Sequence, residues 1–188
     1  MEAFFISTAI VALAEMGDKT QWLALVLAAR FRRPWPIVLG ILAATLANHG
    51  LAAAVGAWVT AFVGPQMLRW ILGASFLAMA AWMLIPDKPD ADKAGGTPRW
   101  GVFGTTVVAF FLAEMGDKTQ LATLMLAARY DATLWVVAGS TLGMVLANAP
   151  VVWFGERITR RLPIRVVHLV CAVIFLLLGL LAMFAPAP

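Results

Sequence analysis

One cysteine and two histidines occur in 188 residues, and only 13% of the residues are charged. Each shortage excludes something. Cys171 alone can close no intrachain disulfide and build no thiolate cluster, so inside its apolar run it reads as a small buried hydrophobe. His168 sits at the end of an apolar run, and His49 reads as a local polar contact rather than a proton relay. The start of the chain lacks the marks of a cleaved leader. Glu2 stands where a basic region would be and no small-residue cleavage site follows, so the first span is expected to be retained.

What is present is apolar. Hydrophobic residues make up 62% of the chain and its mean hydropathy is +0.88, the composition of an integral membrane protein. Apolar stretches predict six spans, near 4–29, 35–62, 67–85, 102–128, 133–154 and 165–185. Several are long enough to be tilted or broken, and together they leave no room for a soluble catalytic domain. Basic residues sort by side. Arg30, Arg32, Arg33, Lys88, Lys93, Arg99, Arg157, Arg160, Arg161 and Arg165 fall in alternate loops, against Arg69 and Arg129 on the other face. The expected location is therefore the cell's inner (plasma) membrane, with both termini outside the cytoplasm. The formal charge of +4 follows from this arrangement and calls for a lipid bilayer, not a nucleic acid, as partner.

The chain is duplicated. The string Leu-Ala-Glu-Met-Gly-Asp-Lys-Thr-Gln occurs at 13–21 and at 112–120, and 14 of 18 positions agree between Leu13–Arg30 and Leu112–Arg129. Gly40/Gly139, Gly56/Gly155 and Phe76/Phe175 keep the same offset of 99, while Asn48/Asn148 fall one residue out of step. The expected domains are a first three-helix repeat over 1–85, a Pro/Gly-rich cytoplasmic linker over 86–100 and a second repeat over 101–188. Three spans per repeat is odd, so the second repeat must enter the membrane from the opposite side. The fold class expected is all-α, six transmembrane helices as two inverted three-helix repeats, an architecture that places substrate near the midplane.

The duplicated strings carry the chemistry. On helices Glu15 and Asp18, and Glu114 and Asp117, would be i,i+3 neighbours on one face. By insertion scales one charge at a helix centre costs roughly 2.5–3.5 kcal/mol, so four carboxylates cost on the order of 10–14 kcal/mol before compensation. A bound cation offsets this. The donors are hard oxygens, which suit Mn²⁺, Ca²⁺ or Mg²⁺ and argue against Zn²⁺ or Cu⁺. Candidate metal ligands are Glu15, Asp18, Glu114 and Asp117, with Lys19, Thr20, Gln21, Asn48, Lys118, Thr119, Gln120 and Asn148 as auxiliary candidates. Gly17 and Gly116 weaken the helix inside each pair. Four ionised carboxylates and two lysines leave two negative charges, which one divalent cation or two protons would neutralise. Competition between metal and protons at one site is the logic of an exchanger. The alternative is that Glu15–Lys19 and Glu114–Lys118 are i,i+4 ion pairs holding helices together, which leaves both aspartates unmatched.

At these residues the chain resembles the cation/proton exchangers defined by two copies of Glu-x-Gly-Asp-Lys/Arg-Thr/Ser, a group that includes Golgi manganese/calcium transporters and bacterial manganese exporters. Glu15-Met-Gly-Asp18-Lys19-Thr20 and Glu114-Met-Gly-Asp117-Lys118-Thr119 both match in full. The resemblance implies export of Mn²⁺, with Ca²⁺ as the second candidate ion, from the cytoplasm in exchange for protons. It implies no enzyme activity and no cofactor. The second copy often carries arginine and serine in that group, whereas this chain repeats Lys-Thr. An exporter of small organic solutes and a divalent-cation uniporter or channel are the competing readings. Gly- and Ala-rich spans could support a homodimer, but nothing requires one.

Overall fold

The computed structural model describes residues 1–85, 100–155 and 164–184. Among these residues the secondary structure is entirely helical: α1 (Glu2–Glu15), α2 (Lys19–Phe31), α3 (Pro34–Phe62), α4 (Pro65–Met83), α5 (Gly101–Glu114), α6 (Lys118–Arg129), α7 (Thr133–Phe154) and α8 (Ile164–Phe184). Three stretches, Pro34–Phe62, Thr133–Phe154 and Arg165–Phe184, are long and apolar enough to cross a membrane. Six of the ten basic residues that suggested the topology, Lys88, Lys93, Arg99, Arg157, Arg160 and Arg161, lie outside the described residues.

The first and fourth expected spans are each two helices. The chain breaks at Met16–Asp18 and again at Met115–Asp117, so α1/α2 and α5/α6 are broken pairs. The cause is local. Gly17 and Gly116 take φ of 81° and 76°, left-handed conformations that a helix cannot absorb. Met16 and Met115 before them are extended, with ψ of 118° and 117°. The expected i,i+3 placement of each acidic pair on one helix is thereby corrected. Each glutamate ends a helix and each aspartate precedes the next.

Packing repeats with the sequence. α1 lies against α7, α5 against α3, and α4 against α8. A side chain at Gly139 would collide with the Phe4 carbonyl, and a Cβ at Gly40 would lie 3.0 Å from the Phe103 carbonyl oxygen. These are the same contact shifted by 99 in both partners. Gly56 against Leu124 and Gly155 against Leu25 are a second such pair. Phe76 and Phe175, also 99 apart, stack on each other at 6.1 Å between ring centroids, both buried. Tryptophans 35, 58, 70, 100, 135 and 153 are exposed, as an interfacial belt requires. Trp82 is half-buried.

Candidate metal centre

Both helix breaks are built by the motif itself. The Asp18 N–H donates to the Glu15 carbonyl at 3.0 Å, and the Asp117 N–H to the Glu114 carbonyl at 3.1 Å, closing a tight turn across each glycine. The Gln21 side-chain oxygen accepts from the Gly17 N–H at 2.9 Å, and that of Gln120 from the Gly116 N–H at 2.7 Å. Gln21 also donates to the Ala147 carbonyl at 2.9 Å. The glutamines, expected as auxiliary oxygen ligands, use those oxygens to satisfy backbone donors freed by the break.

The turns bring the acids together. Glu15, Glu114 and Asp117 each present an oxygen within 4.8 Å of the others, and all three are buried. Glu15 Oε2, Glu114 Oε1 and Asp117 Oδ2 are buried oxygens with no hydrogen-bond partner. Such orphaned acceptors call for positive charge, most of all Glu15 and Glu114, which stand at the carbonyl ends of α1 and α5 where the helix dipole is negative.

Each lysine reaches across to the other string. Lys19 Nζ lies 2.8 Å from Asp117 Oδ1, and Lys118 Nζ lies 3.4 Å from Asp18 Oδ1. Each lysine thus serves the aspartate of the other string, which corrects the i,i+4 pairing with glutamate. Asp18 pairs with Lys118 and is not one of the three mutually close donors.

Other auxiliary candidates divide. Asn148 donates to Glu15 Oε1 at 3.1 Å and Thr119 to Glu114 Oε2 at 2.9 Å, so both join the centre. Thr20 is buried at the start of α2. Asn48 donates to the Phe111 carbonyl at 3.0 Å and touches no carboxylate. The packing offset of 99 pairs Asn48 with Ala147, so the expected equivalence of Asn48 and Asn148 is corrected. Sequence reasoning missed two contributors. His168 reaches from α8 to the Met16 carbonyl, with Nε2 3.1 Å away, covering the first break. Met144 Sδ lies 3.2 Å from Asn148 Nδ2. The second break is open by contrast: Met115 is 55% exposed, and a cavity of about 350 Å³ lined by Gly116, Asp117, Gln120 and Trp82 leads to it.

Residues 3–91 and 102–187 match the family described as divalent cation/proton antiporter GDT1. The chain belongs to that family. A Vibrio cholerae protein whose name proposes it as a manganese exporter is 50% identical over 185 residues, covering 98% of this chain and 92% of that one. A GDT1-like protein of Synechocystis is 28% identical across 97% of both chains. The divalent cation/proton antiporter GDT1 of Saccharomyces cerevisiae is 22% identical over 98% of this chain and 84% of its own. No solved structure matches. Both family-matched segments contain one helix break and one acidic pair, so the centre lies within what the family shares.

Proposed function

We propose that this protein exports Mn²⁺ from the cytoplasm across the inner membrane in exchange for protons, and that Glu15, Asp18, Glu114 and Asp117 bind the ion. The observation that carries this is the trio of buried, unpartnered carboxylate oxygens on Glu15, Glu114 and Asp117, contributed by both strings and gathered at two helix breaks. Hard oxygen donors fit Mn²⁺ and Ca²⁺, and the Vibrio relative's name points to manganese. When the metal leaves, protons restore neutrality at the same oxygens, so one site binds both in alternation.

The architecture proposed is two inverted three-helix repeats, α1–α4 and α5–α8, each with its first span broken. It is supported by helix starts that recur at an offset of 99 and by the paired contacts of Gly40 with Phe103 and Gly139 with Phe4. Inversion follows from the odd span number, and the excess of basic residues in alternate loops puts both termini outside the cytoplasm. Two near-equivalent halves can exchange inward-open and outward-open arrangements, and the broken helices provide the hinges.

Proteoliposomes enclosing a pH-sensitive dye test this. Addition of Mn²⁺ outside should drive protons out of the lumen, and the Glu114→Gln/Asp117→Asn variant should not do so. Entry of Mn²⁺ without proton movement would make the protein a uniporter or channel. Movement of neither would remove the cation reading.

A further inference from the structure

The two halves are chemically unequal at one buried position. The offset of 99 that relates Gly40 to Gly139, Lys19–Asp117 to Lys118–Asp18 and Glu15 to Glu114 also relates His49 to Asn148. Asn148 on α7 donates to Glu15 Oε1 at 3.1 Å. The offset therefore assigns its counterpart on α3 the place facing Glu114, although no direct hydrogen bond joins the two. An independent contact places the same turn: Asn48, next to His49, donates to the carbonyl of Phe111, one turn before α5 ends at Glu114.

His49 is fully buried and neither ring nitrogen has a hydrogen-bond partner, and Glu114 Oε1 is likewise buried without one. A neutral imidazole always keeps a lone pair on one nitrogen. An amide in the same place offers the glutamate an N–H and an ion only a carbonyl oxygen. The imidazole is not among the three mutually close oxygen donors of the centre, so it would extend that centre rather than sit within it.

Resting on the cation site proposed above, we infer that His49 supplies a nitrogen ligand at the Glu114 end of the site and sets its ion preference. Oxygen donors alone accept Mn²⁺, Ca²⁺ and Mg²⁺ with little discrimination by ligand type. An imidazole nitrogen adds affinity for first-row transition metals and little for Ca²⁺ or Mg²⁺. The first half, with Asn148 at this position, is the all-oxygen half. The second half is the discriminating one, and it is also the half next to the open cavity.

Two measurements test this. Pulsed electron paramagnetic resonance on wild-type protein loaded with Mn²⁺ should show coupling to a ligand nitrogen that changes with heavy-nitrogen histidine labelling. The coupling should persist in His168→Asn and vanish in His49→Asn. In proteoliposomes His49→Asn, which copies the first half, should still move Mn²⁺ and Ca²⁺, but its preference for Mn²⁺ should fall by roughly tenfold, the low end of what losing a supporting group costs a metal site. Bound Mn²⁺ without histidine coupling in the wild type, or an unchanged ion ratio in His49→Asn, would overturn the inference and leave the transport reading standing. Wild-type protein that neither binds nor moves Mn²⁺ would remove both. If His49→Asn fails to fold, the labelled wild-type spectrum decides alone.

Discussion

Lys118 Nζ lies 3.4 Å from Asp18 Oδ1, each side chain only 1% exposed, and joins the second string to the first. The reciprocal contact, Lys19 to Asp117, is shorter at 2.8 Å, but Lys19 is 22% exposed. Exchange of lysines between strings makes each half incomplete without the other. Glu15 Oε2 and Glu114 Oε1 stay buried without a hydrogen-bond partner. The same arithmetic of four acids and two lysines is thus realised as a structural crossing plus a residual negative cluster.

The unequal burial of the two crossings predicts unequal consequences. Lys118→Met removes a cation facing a buried Asp18 and should cost about 3–5 kcal/mol, the usual price of breaking a buried pair. Lys19→Met removes a partly solvated cation beside a buried Asp117 that lines the cavity, and should cost less, about 1–3 kcal/mol, between an exposed pair and a fully buried one. Thermal unfolding in detergent checks the order. Asp18→Asn combined with Lys118→Met should recover part of the loss, because no unmatched charge then stays buried. Equal losses for the two lysines would contradict the difference in burial.

Much of this was legible beforehand for a simple reason: charges in hydrocarbon are conspicuous, and two copies in register are more so. Glu15, Glu114 and Asp117 were found that way, and the positions of α3, α7 and α8 follow from uninterrupted apolar runs. Other features needed tertiary placement. The crossing of Lys19 and Lys118 depends on how the halves face each other, which spacing within one string cannot reveal. Gln21 and Gln120 resemble ligands in sequence, but only the break at Gly17 and Gly116 creates the N–H groups they satisfy. Asn48 and Asn148 share a residue type but not the offset of 99 that the packing obeys, so only tertiary placement separates their roles.

The left-handed turn at Gly116 predicts a graded series. No atom lies within 4 Å of where a Cβ would stand, so any loss there is backbone strain and not collision. Gly116→Ala should cost about 1–2 kcal/mol, the penalty of placing an L residue in that region. Gly116→Asn should cost less, because asparagine tolerates the conformation, and Gly116→Val should cost most. Midpoints of thermal unfolding in detergent give the order. A valine variant as stable as the wild type would mean that the turn can form with another backbone geometry.

If the glutamines position backbone rather than bind ion, their replacement should affect stability and metal affinity differently. Gln21→Met loses the acceptor for Gly17 N–H and the donor to Ala147, in buried surroundings, and should cost about 2–3 kcal/mol. Gln120→Met loses its bond to Gly116, which is exposed, and should cost about 1 kcal/mol or less because water replaces it. Titration with Mn²⁺ should then find Gln120→Met close to wild type and Asp117→Asn much weaker. Equal weakening would restore Gln120 to the ligand set.

Helix contacts predict a final ordering among glycines that sequence alone would treat alike. At Gly139 a methyl group would strike the Phe4 backbone, which cannot move without shifting α1. Gly139→Ala should therefore lose about 3 kcal/mol, the upper end for overpacking. At Gly40 the nearest obstacle is the Thr106 side chain, 2.7 Å away, whose hydroxyl is bonded to the Val102 carbonyl at 2.8 Å. That atom is the Thr106 Cβ, which no rotamer change moves, and the Phe103 carbonyl oxygen lies 3.0 Å away, but both are less tight than the backbone contact at Gly139, so Gly40→Ala should lose less, about 2 kcal/mol. Gly50 lies on α3 with nothing within 4 Å of its Cβ position, and Gly50→Ala should gain about 0.5–1 kcal/mol from helix propensity. Unfolding in detergent should return the order Gly50→Ala, wild type, Gly40→Ala, Gly139→Ala from most to least stable. Reversal of the last two would mean that α1 can slide on α7 more freely than α5 can on α3.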